Sequence, residues 1–208
     1  MPENKDIELE GWDLHRAAKE NRADIALLLI TAGADIEAEI IQERRAPIHN
    51  AAQQNEVDKL QLLLDQGIYP DVRDEVGNTP LIYAATGGST NTAKLLLQKG
   101  ADVNAANNEG KTPLLSSLWT DSNLLVVRLL IDNGANIEVQ DKNGNRPLLI
   151  AAENSAAQII KLLISNGAKV DAKNNLDQTA LQKAKTIEVI GILIASGAKN
   201  ASDTHRED

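Results

Sequence analysis

A catalytic or metal site needs a few side-chain types in the right register, and this sequence is sparing with all of them. Cysteine is absent, which removes disulfides, thiolate nucleophiles and cysteine-ligated zinc. There are three histidines, His15, His49 and His205, which leaves little material for a histidine-rich metal centre. No glycine-rich phosphate loop, nucleophile elbow or helical zinc motif occurs. Neighbouring carboxylates such as Asp74-Glu75 fall in turn-like stretches, where an isolated pair has no acid–base geometry. The expectation is no enzyme, no metal and no cofactor. The side chains with chemical reach are then the few aromatics, above all Trp119 and Tyr83, whose use is binding rather than reaction.

The elements that position them follow from composition first. The chain has 208 residues, of which 42% are hydrophobic and only 2% aromatic, with no Phe. One domain, or at most two, fits that length, and its core must come from Leu, Ile, Val and Ala. The net charge of −9 does not favour a nucleic-acid partner, because phosphates reward clustered cations. The longest apolar run, Ile25 to Ile30, is far short of the roughly 18 residues that cross a membrane. The start, Met1 to Asp6, has no apolar leader segment. The chain is expected to be cytoplasmic, or periplasmic or secreted if a leader has been removed.

Two landmarks share one period. Arg45-Ala46-Pro47-Ile48, Asn78-Thr79-Pro80-Leu81, Lys111-Thr112-Pro113-Leu114, Asn145-Arg146-Pro147-Leu148 and Gln178-Thr179-Ala180-Leu181 recur every 33 residues, once after 34. Gly33-Ala34, Gly67-Ile68, Gly100-Ala101, Gly134-Ala135, Gly167-Ala168 and Gly197-Ala198 keep the same beat until the last unit, which is about three residues short. The clearest copy runs from Gly77-Asn78-Thr79-Pro80-Leu81 through Ala84-Ala85 and Leu95-Leu96-Leu97 to Gly100-Ala101-Asp102. This resembles the ankyrin repeat. The resemblance implies an all-α solenoid of helix-turn-helix units with projecting β-hairpin loops. The local physics agrees. Thr can cap a helix whose first turn holds Pro, small Ala pairs permit close helix approach, and Gly suits the left-handed residue after a helix. No unit can bury its apolar faces alone, so stacking makes the core.

The expected layout is an extension at 1–10, one array over 11–199 and a polar tail at 200–208. The units fall at 11–33, 34–67, 68–100, 101–134, 135–167 and 168–199. The first and last are read as caps, the first with polar Arg16, Lys19, Glu20 and Arg22 outward. The last, with Ala180 in place of Pro, is expected to have a shortened helix pair. The resemblance makes His15 and His49 structural, bonding backbone near a turn.

Departures from the pattern single out residues for partner contact. Unit four has one extra residue within Leu118 to Asn123, and Ser117-Leu118 replaces the usual Ala-Ala. In the family that end of the first helix faces a concave groove. Trp119 is thus either presented to a partner, with Thr120 beside it, or packed on neighbouring loops. Tyr83 is either its companion in an aromatic patch or a satisfied core tyrosine. The first hairpin is also one residue long, with Arg44 in place of Gly. Ile40 and Ile41 there either dock on the cap or form a contact patch. Pro70, which cannot donate a backbone hydrogen bond, alters the second hairpin, and Tyr69, at a position usually held by Asp, is expected to be exposed. The family's variable positions fall on Glu75, Asn78, Asn108, Lys111, Lys142, Asn145 and Glu153. Residues 1–46 carry 11 acidic and 6 basic side chains, which serves solubility or steers a basic partner.

The function expected is a non-catalytic module, a monomer when free, that binds another protein through its groove and hairpin tips. It resembles the small stand-alone ankyrin proteins of bacteria. The favoured version is a stoichiometric inhibitor or immunity-type binder of an enzyme. The alternatives are an adaptor or scaffold, and a secreted effector that binds a host protein.

Overall fold

A computed structural model describes residues 47–199. Expectations about His15, His205, Arg44, Ile40, Ile41, the first cap and the tail concern residues outside that range.

The elements alternate as the period requires. Residues 47–53 are helical (α1), followed by α2, Val57–Asp65. The next units contribute α3 (Pro80–Thr86) with α4 (Thr90–Gln98), and α5 (Pro113–Ser116) with α6 (Leu124–Asp132). Then come α7 (Pro147–Glu153) with α8 (Ala157–Ser165), and α9 (Ala180–Lys183) with α10 (Ile187–Ala195). No strand occurs among the described residues. The projecting loops close instead with two main-chain bonds each. Asp74 N–H donates to Asn78 O and Gly77 N–H to Asp74 O, a pattern repeated at 107–111, 141–145 and 174–178. A tip closed so tightly leaves no ladder to extend.

The Thr-Pro starts behave as capping chemistry dictates. Thr79 Oγ1 accepts from Ile82 N–H and Thr112 Oγ1 from Leu115 N–H. Thr179 and Gln182 form a reciprocal capping box. Arg146 stands where Thr would and has no such bond. It instead donates to Lys173 O, one unit on, and pairs with Glu138 at 3.2 Å.

Stacking produces one aliphatic core. Leu60, Leu96, Leu130, Leu163 and Leu193, one per second helix, are fully buried. So are Ala51, Ala52, Ala84, Ala85, Ala151 and Ala152, whose small side chains let first helices pack closely. Leu118 takes that place in unit four and is also fully buried. The bulk of Leu118 coincides with the early end of α5 after four residues; a 3-10 turn, Asp121–Asn123, absorbs the extra residue. The last unit has a shortened helix pair, with the loss confined to its first helix. Only α9 is short, at four residues, while α10 keeps the nine of every other second helix.

Some second helices are capped by the preceding unit. The N-cap residues of α4 and α8, Ser89 and Ala156, make no side-chain cap bond. Asn55 Oδ1 accepts from Asn91 and Thr92 N–H at 3.2 Å, and Asp121 Oδ1 from Gln158 and Ile159 N–H at 3.0 and 3.1 Å. Asp121 also sets a negative charge at the positive end of α8. Asp121→Ala is expected to cost about 1 kcal/mol, read as a lower urea midpoint with unchanged slope, and Asn55→Ala somewhat more, because Asn55 sits at φ +59°, a left-handed conformation that Asn tolerates better than Ala. A change within error for both would remove this role.

Candidate interaction groove

First helices and loop tips together enclose a groove of about 730 Å³. Its floor repeats by unit. One row holds Gln53, Thr86 and Glu153, the last residues of their first helices, and Trp119, which takes the matching position in the turn after α5. A second row, one turn earlier, holds Tyr83, Ser116 and Ile150. The loop wall carries Asn78, Lys111 and Asn145. Of the residues singled out from the sequence, Trp119, Tyr83, Asn78, Lys111, Asn145 and Glu153 therefore meet on one surface. Thr120, Glu75, Asn108 and Lys142 do not line it. Thr120 caps the 3-10 turn by accepting from Ser122 N–H. Gln53, Thr86 and Ile150 escaped the sequence reading. Counting one period either side of Trp119 would have found Thr86 and Glu153 together.

Trp119 keeps 57% of its surface exposed, well above what core packing allows. Tyr83 is half-buried, and its hydroxyl donates to Asp74 Oδ2 at 2.9 Å, so its ring is held in place rather than free. Burial raises the Tyr83 pKa, and the Asp74 carboxylate raises it further. The phenol therefore stays protonated at neutral pH and remains a donor. Burial pushes Asp74 upward, but hydrogen bonds from Asn78 N–H and the Tyr83 hydroxyl outweigh it and hold the carboxyl below its usual range. His49 completes this cluster, with its ring 5.2 Å from that of Tyr83. Its Nε2 lies 3.1 Å from Val72 O, which can only accept, so the ring donates there and links α1 to the next loop. Among the described residues no group of acidic or histidine side chains is arranged to hold a metal ion. No described helix is long and apolar enough to cross a membrane.

The tips are tied in pairs. Asn108 N–H donates to Val76 O at 3.1 Å and Asn107 Nδ2 to Asn78 Oδ1 at 2.8 Å. Arg73 clamps Gly77 O and Ala106 O from below. The same ties join the last two tips through Asn175 N–H to Asn143 O and Asn174 Nδ2 to Asn145 Oδ1. Among the described residues no hydrogen bond joins tip 107–111 to tip 141–145. Lys142 stands where the tied tips have Asn, and α5 touches α7 far less than it touches α3. The loop wall thus has a seam between the tips of units four and five, beside Trp119, while the helices behind it stay joined through Asp121 to α8 and Leu118 O to Asn154. In hydrogen exchange, the amides of Asn108 and Asn175 are expected to be at least ~10-fold more protected than that of Lys142, after correction for intrinsic rates. Equal protection would mean that the seam is closed in solution.

The comparisons with known proteins agree with this geometry. The sequence matches the family described as ankyrin repeats (3 copies) in overlapping blocks at residues 14–107, 48–141 and 117–204. The chain belongs to the ankyrin-repeat family. Ankyrin repeats are in general non-catalytic modules for protein–protein interaction. Among its relatives, the E3 ubiquitin-protein ligase KEG of Arabidopsis thaliana is 35% identical over 92 residues, 44% of this chain and 6% of the relative. The B-cell lymphoma 3 protein homolog of Mus musculus is 32% identical over 114 residues, 53% of this chain and 25% of the relative. A putative ankyrin repeat protein of fowlpox virus is 31% identical over 114 residues, 54% of this chain and 33% of the relative. The matched stretch thus spans a third or less of each relative. These relatives are eukaryotic or viral, and the bacterial likeness expected from the sequence finds no support in them.

Proposed function

We propose that this ankyrin array binds a segment of another protein in the groove, with Trp119 as the anchor and Tyr83 as a fixed neighbour. The observation that carries this reading is Trp119 itself, a large apolar side chain more than half exposed on a concave wall. Tryptophan is enriched among residues that dominate binding energy. Glu153 is partly neutralised by Lys183 at 3.1 Å and Glu109 by Lys111 at 3.0 Å. The groove therefore offers paired charges around an apolar centre, which suits orientation of a mixed polar and apolar peptide.

Within that reading, the chain acts as a stoichiometric inhibitor that occludes a partner enzyme. A second reading, an adaptor, is favoured by the relatives, in which the matched stretch is a small part of a longer protein. One experiment separates them. The intact chain and a Trp119→Ala chain are used as paired baits in lysate of the source organism, and the retained proteins are titrated back by calorimetry. A single enzyme, bound 1:1, silenced by the chain and lost with Trp119→Ala, supports the inhibitor. Several partners bound together support the adaptor. Identical retention by both baits overturns the groove as the site.

A further inference from the structure

We propose that the seam between tips 107–111 and 141–145 is a slot for an amide group of the bound partner, gripped by Lys111 and Asp141. This rests on the groove reading above and adds the chemistry that the loop wall recognises beside the Trp119 anchor. The argument begins with the side-chain rung that ties neighbouring tips. It joins the fifth residue of one tip to the first residue of the next. Asn78 accepts from Asn107 at 2.8 Å, and Asn145 accepts from Asn174 at 2.9 Å. Each rung is one amide against another. At the seam the same two places hold Lys111 and Asp141, both on the groove wall. An ammonium has donors only, and an ionised carboxylate acceptors only. The donor and acceptor sides of the rung are therefore exchanged, and neither residue is an amide. Lys111 turns to Glu109 of its own tip at 3.0 Å, with both side chains exposed. A pair so exposed contributes little, so the ammonium is available to another acceptor.

Asp141 carries the second observation. Its counterpart Asp74 receives two donors on Oδ2, the Tyr83 hydroxyl at 2.9 Å and Asn78 Nδ2 at 3.4 Å. Asp141 Oδ2 receives Asn145 Nδ2 at 3.0 Å. The place of Tyr83 is held in this unit by Ile150, which has nothing to donate. Oδ1 is used alike in both residues, by two main-chain N–H groups of the tip. Asp141 is thus one donor short on the oxygen that Tyr83 completes in Asp74. The main chain has the same gap. The bonds from Asn108 N–H to Val76 O and from Asn175 N–H to Asn143 O have their counterparts in Lys142 N–H and Glu109 O. Among the described residues these two groups are not joined to each other or to any other main-chain group.

The open groups say what fills them. A carboxylate ligand would meet Asp141 and an amine would meet Lys111, each with like charge. A neutral amide offers both halves at once. Its N–H donates to Asp141 Oδ2, in the role of the Tyr83 hydroxyl, and its carbonyl accepts from Lys111 Nζ or Lys142 N–H. Hydrogen bonds of this kind, with one ionised member, are stronger than neutral ones. The amide belongs either to the partner's main chain or to an Asn or Gln side chain.

Two small amides test this by two-dimensional NMR of the full chain. N-methylacetamide stands for a main-chain peptide link and propionamide for an Asn or Gln side chain. The expected result is a saturating shift of the Lys142 amide with a dissociation constant of about 50 mM, the scale for a ligand of about five heavy atoms. The tied amides of Asn108 and Asn175 should show no saturation. Lys111→Asn combined with Asp141→Asn rebuilds the rung from the residues that form it elsewhere in the array. It is expected to weaken the response at least ~10-fold and to slow hydrogen exchange at Lys142. Tighter binding of N-methylacetamide means that the partner presents main chain, and tighter binding of propionamide that it presents a side chain. No saturation with either amide, or the same saturation in the double variant, overturns the proposal. Neither the partner nor a Trp119 variant enters this test, so its failure is distinct from a failure of the anchor.

Discussion

Gly77→Ala is expected to destabilise the protein by about 3 kcal/mol, while the outwardly identical Gly110→Ala costs about 1 kcal/mol. Both glycines close a loop tip in the left-handed region, at φ +80° and +78°. The backbone strain of adding a Cβ is therefore common to the pair, and amounts to about 1–2 kcal/mol before a small entropic gain in the unfolded chain. What differs is the neighbour. A Cβ on Gly77 falls 2.9 Å from the Asn108 backbone nitrogen, and one on Gly110 meets nothing within 4 Å. The Asn108 side chain can rotate away, but its backbone cannot move without breaking the bond from its N–H to Val76 O. Gly144, below the Asn175 nitrogen at 2.9 Å, should follow Gly77. Denaturant melts of the three variants check this. Equal losses in all three would mean that only backbone strain matters and that the tips are not tied in pairs.

These glycines also mark how far the sequence could be read. Pro80, Thr79 and Gly100 act on their own backbone, through a fixed φ, a cap bond three residues away and a left-handed turn. A repeated local signal of that kind is visible in one dimension, and so were the helix starts, the Leu and Ala core and the length of a unit. The inter-unit devices are different in kind. Asn55 and Asp121 cap helices 36 to 38 residues ahead, and Asn108 and Asn175 tie tips about 32 residues behind. Nothing local distinguishes an Asn that caps across a unit boundary from one that merely turns a loop. The seam left two faint traces, the single spacing of 34 and Lys142 in the place of Asn. Both acquire meaning only when neighbouring loops are seen side by side. Trp119 stood out because unit four carries an extra residue and has Ser117-Leu118 in place of Ala-Ala, and the row of Gln53, Thr86 and Glu153 around it became visible only in the fold.

Trp119→Ala is expected to weaken partner binding by about 2 kcal/mol or more, roughly 30-fold, while the melting temperature and helical signal stay unchanged. The two halves of that statement come from one fact. A side chain with more than half its surface in water gives little to the folded core, so truncation removes little burial on folding. The same exposed area becomes buried when a partner covers the groove, and the loss then appears in the complex. Location sharpens the effect. Beside Trp119 the loop wall is untied between 107–111 and 141–145, so the groove is open where its largest apolar side chain stands. Tyr83→Phe is the companion variant. It keeps the ring but removes the bond to Asp74, and is expected to cost binding less than Trp119→Ala, because it loosens a neighbour without deleting the anchor. Calorimetry on the purified partner, with thermal melts alongside, reads both quantities. If Trp119→Ala lowers the melting point by several degrees and the folded fraction binds as before, the indole is a packing residue and the anchor lies elsewhere on the array.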